Sequence, residues 1–383
     1  MQTPSGADER TAVIGAGPCG LAVARQLRHL RGIDALVLDR APEPASSWRR
    51  FHDDFRLNTC GYWSHLPGQH IPSRHGRWPS RDAMVDYFDD YVRRQQLRLR
   101  MGVAVARIDR DAVGWRLHTD GGSVSAATIV VATGNYHTPR TPSWPGAREF
   151  TGDLLHSIDY HRAGPYVGRD VLVVGSGNSA TDIAVRLSAA GAGRVRMSVR
   201  TPPHLVPRAI AGVPVDLFSD AFDRLPVKVL DRAAAVMRTL WWGDLKENGL
   251  PAPRKGIYRA LIEDTRIPTL GDDLVPRVED GRIEVVAAVE SFDGDSVQLS
   301  DQTTVHPDVV IAATGYTKGL DDMVGHLGVL DSEGDPVSNG TPSAAAGLWF
   351  AGYNEPLVGP LRSFRRAASG LADEVAGYTA NPV

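Results

Sequence analysis

Cysteine is scarce in this sequence, and lysine is nearly as rare. Only Cys19 and Cys60 occur among 383 residues, which excludes a disulfide-rich secreted scaffold and favours a reducing compartment. The two are not spaced as C-x-x-C or C-x4-C, so the dithiol of a flavin disulfide reductase is missing. Lysine occupies four positions among 42 basic residues, and we interpret this ratio as a coding bias rather than a function.

Long apolar runs, runs of like charge and metal-ligand clusters are absent as well. No stretch approaches eighteen apolar residues, and residues 5–10 are mostly polar, so neither membrane insertion nor a signal peptide is predicted. The net charge of −3 and the lack of five consecutive like charges argue against nucleic acid or an anionic membrane as a partner. No metal site is predicted. These absences favour a cytoplasmic enzyme that acts on a small-molecule substrate. They are compatible with a monomer and with a homodimer.

Two glycine-rich turns carry the strongest positive signal. Each follows a short apolar run predicted as a buried strand, at residues 11–14 and 171–174, and precedes a predicted helix. The glycines allow the backbone to approach a pyrophosphate, which the free N–H groups and the positive dipole end of the helix attract. The predicted binding residues are Gly15, Gly17 and Gly20 in the first turn, and Gly175, Gly177, Asn178 and Ser179 in the second.

The residue after the second strand of each unit distinguishes two nucleotides. Asp39 follows residues 35–38 and is placed to accept hydrogen bonds from a ribose 2′-hydroxyl, as in FAD. Arg200 has the equivalent place after residues 195–199, where a guanidinium binds the 2′-phosphate of NADPH and a carboxylate would repel it. Either residue alone is also compatible with a solvated charge at a strand end. Together they predict one FAD and one NADPH.

The two halves of the chain repeat one plan. A glycine turn is followed by an alternating ribbon, and then by an apolar strand that ends in Ala-Thr-Gly, at residues 132–134 and 313–315. This predicts an α/β, two-dinucleotide-binding-domain flavoprotein in which a Rossmann-like NADPH domain is inserted into a discontinuous FAD domain. The predicted boundaries are 1–157 and 313–383 for the FAD domain, and 158–312 for the NADPH domain with a helical insertion at 203–270.

Two segments lie outside the nucleotide-binding units. Ser80 is predicted to cap a helix over residues 81–94. In the insertion, apolar residues at helical spacing predict an amphipathic helix whose apolar face packs on the core or lines a substrate tunnel, rather than facing a membrane. These apolar residues are Val227, Leu230, Ala234, Met237 and Trp241.

A motif between the two halves resembles a known family. Phe150, Gly152, His156 and Tyr160 follow the spacing F-x-G-x-x-x-H-x-x-x-Y, which resembles the signature of class B flavin-containing monooxygenases. The resemblance continues through residues 171–182, 199–208, 313–316 and 347–352. The segment 225–253 is similar to the plant branch that makes auxin by oxidative decarboxylation of indole-3-pyruvate. Tyr160 departs from Baeyer–Villiger enzymes, which typically carry Trp at this position.

The resemblance implies that NADPH reduces FAD, that O2 adds to the reduced flavin, and that a C4a-hydroperoxyflavin oxygenates a soft nucleophile while NADP+ stays bound. The cofactor then supplies the chemistry, and the protein supplies orientation and exclusion of water. The further cofactor-binding residues are Arg40, Trp48, Thr133, Gly134, Thr314, Gly315 and Leu361. His156 is expected to have a conformational role in the linker rather than a role in proton transfer.

Asn58 is the candidate catalytic residue. It precedes Pro67 by nine positions, as does the active-site Asn of many N- and S-oxygenating members, and its amide would hold the hydroperoxide or the nicotinamide ribose. The alternative is that Asn58 satisfies the backbone of its loop. Arg362 or Arg365, in the first turns of the last predicted helix, would hold a substrate carboxylate or else lie on a solvated face.

N- or S-oxygenation of a small organic substrate is the first functional hypothesis, and Asn58 favours it. Oxidative decarboxylation of a 2-oxo acid or Baeyer–Villiger oxygen insertion is the alternative, which the segment 225–253 favours. A nucleotide-binding redox sensor without turnover is an alternative of another class, because both glycine turns indicate binding and neither indicates chemistry.

Overall fold

The structure, a computed structural model, describes residues 9–111, 114–218, 225–354 and 359–380. The strands are β1 (Glu9–Ile14), β2 (Leu36–Asp39), β3 (Arg98–Met101), β4 (Val105–Asp111), β5 (Gly114–Thr119), β6 (Gly122–Val131), β7 (Thr138–Pro139), β8 (Asp153–His156), β9 (Asp170–Val174), β10 (Arg194–Ser198), β11 (Leu205–Val206), β12 (Ala209–Ile210), β13 (Val213–Pro214), β14 (Thr269–Leu270), β15 (Glu284–Val286), β16 (Val289–Asp293), β17 (Ser296–Leu299), β18 (Thr304–Val305), β19 (Val309–Ala312), β20 (Tyr316–Thr317) and β21 (Leu348–Phe350). The α-helices are α1 (Pro18–Arg31), α2 (Ser46–Arg49), α3 (Arg81–Arg94), α4 (Asn178–Ala190), α5 (Val227–Trp242), α6 (Ile257–Asp264), α7 (Val275–Glu279), α8 (Asp321–Val324) and α9 (Pro360–Ala380).

The first sheet has the order β3-β2-β1-β6-β5-β4, and β21 pairs with the carboxyl-terminal half of β6. Strands β1, β2, β3, β6 and β21 run parallel. The buried runs of β1, β2, β6 and β21 are typical of such a sheet, whereas the edge strand β3 alternates between exposed and half-buried residues. Helices α1, α3 and α9 cover one face through buried side chains such as Leu21, Phe88 and Leu371. The carboxyl ends of β1 and β6 therefore lie together at one edge, where the first glycine turn begins.

The second sheet is entirely parallel, with the order β15-β10-β9-β19-β8. Its central strand β9 is fully buried from Val171 to Val173, so both faces need cover. Helix α4 and parts of the insertion pack on one face. The antiparallel ribbon of β16, β17 and β18 packs on the other.

The predicted inserted arrangement is confirmed. The chain leaves the first sheet after β6, builds the second sheet, and returns to the first sheet with β21. The antiparallel pair β7 and β20 holds the outgoing and the returning connectors side by side. Strand β8, which the predicted boundary at residue 157 leaves in the first domain, pairs with β19 of the second sheet. We therefore propose a boundary near residue 152.

Predictions for individual helices had different outcomes. Helix α3 begins after Ser80, whose side chain accepts a hydrogen bond from the N–H of Ala83, as predicted. The predicted apolar face of α5 packs on the protein only in part: Leu230 is buried and Val227 and Ala234 are half-buried, whereas Met237 and Trp241 are exposed. Helix α5 is apolar on more than one face, so helical spacing did not determine which face would turn inward.

Candidate active site

The first glycine turn joins β1 to α1 and leaves open space above the helix. Gly15 has φ +111°, and a Cβ there would lie 2.4 Å from the carbonyl oxygen of Ala132. A Cβ at Gly20 would lie 1.9 Å from the carbonyl oxygen of Gly15. Gly17 caps α1 in extended backbone, without a side-chain cap, and a Cβ at Gly17 would meet nothing within 4 Å. The first N–H groups of α1 thus face open space in which a phosphate fits.

Asp39 is held beside this turn by backbone N–H groups. Its Oδ2 accepts a hydrogen bond from the N–H of Ala16 at 2.7 Å, and its Oδ1 accepts one from the N–H of Ala41 at 2.8 Å. Each carboxylate oxygen keeps a further lone pair for an outside donor. The geometry therefore offers a fixed acceptor to ribose hydroxyls, and Asp39 also closes the turn itself.

The second glycine turn repeats the first. Gly175 has φ +138°, and a Cβ there would lie 2.4 Å from the carbonyl oxygen of Ala313. Gly177 caps α4 in extended backbone, and a Cβ there would meet nothing within 4 Å. In both units the first glycine packs on the alanine of the Ala-Thr-Gly sequence, and this contact explains why the two motifs occur together.

The side chain of Asn178 is engaged inside the protein. Its Nδ2 donates to the carbonyl oxygen of Pro268 at 3.0 Å, and its Oδ1 accepts from the N–H of Leu270 at 3.1 Å. The amide thus ties the first turn of α4 to the end of the insertion. For a phosphate, Asn178 retains its main-chain N–H at the helix N-terminus, and the neighbouring Ser179 is exposed.

Arg200 lies exposed beyond the end of β10. A second cation approaches the same place, because the Nη2 of Arg266 donates to the Oγ1 of Thr201 at 3.5 Å. Sequence reasoning missed Arg266, which comes from the insertion 65 positions after Thr201. Two guanidinium groups near this strand end can share a dianionic phosphate.

Replacing Arg200 by Ala is expected to weaken NADPH binding and to leave NADH binding nearly unchanged, because only NADPH has a 2′-phosphate. Loss of one charge-assisted hydrogen bond at about 1.5–3 kcal/mol corresponds to roughly a ten- to hundredfold loss of affinity. Anaerobic titration of the protein with NADPH and with NADH measures the two binding affinities. Equal losses for both nucleotides would assign Arg200 a structural role.

The Ala-Thr-Gly segments are tied to other parts of the fold. The hydroxyl of Tyr353 accepts a hydrogen bond from the N–H of Thr133 at 3.1 Å and lies 2.8 Å from its Oγ1. The Oγ1 of Thr314 donates to the carbonyl oxygen of Arg140. Tyr353 is buried, which raises the pKa of its phenol. Sequence reasoning missed it, because Tyr353 comes directly after the motif at residues 347–352 and is not part of it.

Three more predicted cofactor residues lie around the first turn. The Nη2 of Arg40 donates a hydrogen bond, at 3.3 Å, to the carbonyl oxygen of His137, the residue directly before β7. Trp48 is buried with its ring centroid 5.2 Å from that of Phe88. The side chain of Leu361 is in the hydrophobic core, so only its main chain, in the first turn of α9, can face a ligand.

His156 is engaged through both ring nitrogens. Its Nε2 donates to the carbonyl oxygen of Gly315 at 3.1 Å, and its Nδ1 accepts from the N–H of Ile158 at 3.2 Å. This pair of contacts requires a neutral ring, and burial lowers the pKa of His156, against the opposing effect of the Gly315 hydrogen bond. Such a ring holds the linker against the returning strand, which supports a conformational role.

The other signature residues also pack within the linker region. The ring centroids of Phe150 and Phe292 lie 5.2 Å apart. A Cβ at Gly152 would lie 2.7 Å from the carbonyl oxygen of Asp308, so only glycine fits at this position of the linker without a steric clash. Tyr160 is buried, with its ring 5.9 Å from that of His52.

His52 belongs to a polar contact between the two units. Its Nε2 lies 2.6 Å from the Oδ2 of Asp182 on α4, and the Nη2 of Arg186 donates to the carbonyl oxygen of Asp54 at 2.8 Å. Burial would raise the pKa of Asp182, but the hydrogen bond from His52 and the nearby positive charges bring it below its usual value. Sequence reasoning assigned no role to His52 and Asp182, because these two residues are 130 positions apart in the chain.

Asn58 lies between the two units and contacts a cation from the insertion. Its Oδ1 accepts a hydrogen bond from the Nη2 of Arg208 at 3.4 Å, and both side chains are half-buried. The Arg208 guanidinium also lies over the ring of Trp78, 5.5 Å from its centroid, as Arg77 does at 5.4 Å. An amide, a guanidinium and an indole ring therefore meet at one place.

The loop that carries Asn58 is closed from two sides. The N–H of Cys60 donates to the Oδ2 of Asp216, from the insertion, at 3.0 Å. Burial raises the pKa of Asp216, although that N–H and the Arg362 charge oppose the shift. At the other side, a Cβ at Gly359 would lie 2.6 Å from the Cγ2 of Thr59, which places the start of α9 directly beside the loop.

Arg362 and Arg365 are engaged within this enclosure. Arg362 is 4% exposed, its guanidinium lies 5.0 Å from the Trp63 centroid, and its Nη1 donates to the carbonyl oxygen of Asp216 at 3.4 Å. Arg365 contacts the Nε2 of His65, whose pKa is lowered to about 4 by burial and by the Arg365 charge, despite a backbone hydrogen bond to Leu66. Arg208 is therefore the cation best placed to meet a carboxylate beside Asn58, and sequence reasoning missed it.

Neither cysteine forms a disulfide with the other. Both are free and buried, and burial raises the pKa of the Cys19 thiol to about 12. Among the residues that the structure describes, no group of three or more His, Cys, Asp or Glu side chains is arranged to hold a metal ion.

Comparison with known proteins gives consistent results. Residues 12–208 match the family described as pyridine nucleotide-disulphide oxidoreductase. The chain is 33% identical over 323 residues to indole-3-pyruvate monooxygenase YUCCA1 of Oryza sativa subsp. japonica, across 83% of this chain and 79% of that protein. It is 32% identical to indole-3-pyruvate monooxygenase YUCCA4 of the same organism, across 80% of this chain and 74% of that protein.

A solved structure has the same fold. A flavin-containing monooxygenase from Stenotrophomonas maltophilia superimposes with a TM-score of 0.73 at 22% identity, over 96% of this chain and 99% of that chain.

Proposed function

We propose that this chain, which belongs to the flavin-containing monooxygenase family, catalyses the oxidative decarboxylation of a 2-oxo acid. The protein is an FAD- and NADPH-dependent monooxygenase. The observation that carries the finer proposal is the place of Arg208, which contacts Asn58 and lies over Trp78. The curated relatives, which are named indole-3-pyruvate monooxygenases, support it.

FAD fits the first unit. Its pyrophosphate would lie over Gly17 and the N-terminus of α1, and its adenosine ribose would meet Asp39. The flavin supplies hydride acceptance and oxygen activation when it is bound. Gly134, with φ +83° and open space at its Cβ position, lets the backbone approach the cofactor closely.

NADPH fits the second unit in the same manner. Its pyrophosphate would lie over Gly177 and the N-terminus of α4, and its 2′-phosphate would meet Arg200 with Arg266 nearby. The contacts of His156 and the His52–Asp182 pair would fix how the two units, and hence the two cofactors, face each other.

A 2-oxo acid suits the residues around Asn58. Arg208 would hold the carboxylate, which a guanidinium binds in a bidentate manner. Trp78 would offer an apolar face to an aromatic or apolar side chain, and the Asn58 amide would donate to the 2-oxo oxygen or to bound oxygen. The enclosure by Asp216 and by the start of α9 would exclude water from this place.

The overall reaction balances with the reagents at hand. A 2-oxo acid, O2, NADPH and a proton give the acid shortened by one carbon, CO2, NADP+ and water. One oxygen atom enters the product and the other leaves as water, while the bond between the carboxyl and the carbonyl carbon breaks. NADPH supplies two of the four electrons that O2 takes up, and the substrate supplies the other two as its carbonyl carbon becomes a carboxyl carbon.

N- or S-oxygenation is the second candidate, and the Asn58 amide favours it. A sulfide or an amine needs no carboxylate partner, so Arg208 would then serve only to hold Asn58. We further propose that the protein works in the cytoplasm, where two free cysteines persist.

The two candidates are separated by their products. The purified protein is to be incubated with NADPH, O2 and indole-3-pyruvate, phenylpyruvate, a tertiary amine or a sulfide. We expect NADPH-dependent CO2 and shortened acid from the 2-oxo acids. Oxygenated amine or sulfide without CO2 would overturn the proposal in favour of the second candidate, and binding of both nucleotides without any product would favour a sensor.

Replacing Arg208 by Ala is expected to raise KM for the 2-oxo acid by roughly ten- to a hundredfold, through loss of one charge-assisted contact. NADPH oxidation without substrate should stay within a few-fold. Arg77→Ala is the matched control, because Arg77 also lies over Trp78 and has no contact with Asn58 among those described. Equal effects of both substitutions would place the role of Arg208 in supporting the indole ring.

A further inference from the structure

Helix α5 presents apolar side chains directly to solvent. Leu240 is 76% exposed, Val236 58% and Val229 52%. Val236 follows Val229 by seven positions and Leu240 follows Val236 by four, so the three side chains form one stripe along the helix. Met237 and Trp241, which are also exposed, lie about 100° around the helix from the stripe, on the side that they share with the buried Leu230. The opposite side of the helix turns to the protein through the half-buried Val227, Ala234 and Trp242. Within the part of the chain that the structure describes, this stripe is an apolar face without a packing partner.

The charges beside the stripe are positive. Lys228 and Arg232 are the exposed charged residues of α5. The other two charges of the helix turn inward: Asp231 accepts from the N–H of Tyr258 at 2.8 Å, and Arg238 donates to the carbonyl oxygen of Leu250 at 3.1 Å. The helix therefore combines an outward apolar stripe with outward cations.

The neighbouring helix adds to this character. Ile262 on α6 is exposed, and the carboxylates at the end of α6, Glu263 and Asp264, form ion pairs with Lys255. Between residues 225 and 270, seven exposed side chains are basic and four are acidic. The surface of this part of the insertion is therefore net positive, although the net charge of the whole chain is −3.

We propose that α5 docks the protein on the surface of an anionic lipid bilayer. Val229, Val236 and Leu240 enter the boundary between headgroups and acyl chains, and Lys228 and Arg232 meet anionic headgroups beside them. Trp241, which is exposed on the neighbouring side of the helix, has an indole ring that suits the interface. This is peripheral binding: within the described ranges, none of the helices combines the length and the apolar character of a membrane span.

A second copy of the chain fits this face less well. An isologous contact between two α5 helices would bring together helices whose exposed charges are all cations, with no exposed carboxylate on the partner helix to pair with them. An anionic bilayer offers the complementary charge to every cation at once.

Vesicle sedimentation with the full-length, FAD-loaded protein tests the proposal. We expect binding to vesicles of phosphatidylcholine mixed with phosphatidylserine, weaker binding to phosphatidylcholine alone, and a decrease with added salt. Val236→Gln/Leu240→Gln should weaken binding by roughly tenfold or more, from the transfer free energy of two apolar side chains. Lys228→Glu/Arg232→Glu should weaken it by roughly 25-fold or more, at about fivefold for each basic residue.

Matched variants control for general effects. Val337→Gln changes an apolar residue that is 73% exposed elsewhere, and Arg74→Glu/Arg148→Glu makes the same change of charge at exposed positions outside the insertion. Both should bind vesicles like the parent, and unchanged Tm and FAD content should show that all variants are folded. Equal vesicle binding by α5 variants and controls would overturn the proposal. A concentration-dependent dimer in sedimentation velocity that Val236→Gln/Leu240→Gln dissociates, without vesicle binding, would assign the face to a second copy instead.

Discussion

Gly17→Val is expected to give a folded protein that lacks FAD and activity. At this position the backbone is extended with φ −75°, and a Cβ would meet nothing within 4 Å, so valine costs the fold little. The open space is the place where backbone N–H groups of α1 would meet the pyrophosphate. A branched side chain there keeps the phosphates away from the helix, and the bound flavin is lost.

Gly15→Val should behave differently. Its φ of +111° disfavours valine, and its Cβ would lie 2.4 Å from the carbonyl oxygen of Ala132. This substitution should lower Tm as well as FAD content. Gly177→Val is the matched control in the other unit, since Gly177 has the same extended backbone and open space. It should keep FAD but lose anaerobic flavin reduction by NADPH.

The measurements are the visible spectrum after gel filtration, Tm, and the rate of flavin reduction. Full FAD occupancy in Gly17→Val would contradict the assignment of the first turn. Loss of FAD in Gly177→Val, together with retained FAD but lost flavin reduction in Gly17→Val, would exchange the two nucleotides between the units.

Asn58→Ala is expected to uncouple NADPH oxidation from product formation. The glycine turns and Arg200, which would position the nicotinamide, remain, so anaerobic reduction of the flavin should stay within a few-fold. After O2 has entered the site, the missing amide donor should favour release of H2O2. Loss of one such contact at about 1–3 kcal/mol corresponds to roughly a five- to 150-fold change in the ratio of H2O2 to product.

Comparison with Arg208→Ala separates two roles for Asn58. Because its Oδ1 accepts from Arg208 at 3.4 Å, Asn58 would also orient the guanidinium. A rise in KM without extra H2O2 would make Asn58 a positioning residue for Arg208. An unchanged ratio and an unchanged KM would leave it as an ordinary loop residue, and a selective collapse of anaerobic reduction would place it with the nicotinamide.

The nucleotide-binding units could be predicted from the sequence because their constraints are local. A strand, a glycine at positive φ and a helix N-terminus follow one another within a few residues, as at Gly15 and Gly175. The place of the charge after the next strand is fixed by chain direction in a parallel sheet, so the positions of Asp39 and Arg200 at the ends of β2 and β10 could be predicted before any packing was known. The repeated Ala-Thr-Gly motif has a physical reason that only the structure shows, which is its contact with each first glycine.

The proposed substrate pocket and the docking face depended on tertiary structure. Asn58 and Arg208 are 150 positions apart, and Asp216 and Arg362 reach the same loop from two different segments, so no spacing in the sequence brings them together. For Asn178 and for the apolar residues of α5, the sequence gives the type of side chain, but it does not determine which neighbouring residues each side chain contacts. Periodicity determines which side chains share a face of a helix, whereas the rest of the fold decides which face it covers, and on α5 it leaves Val229, Val236 and Leu240 uncovered.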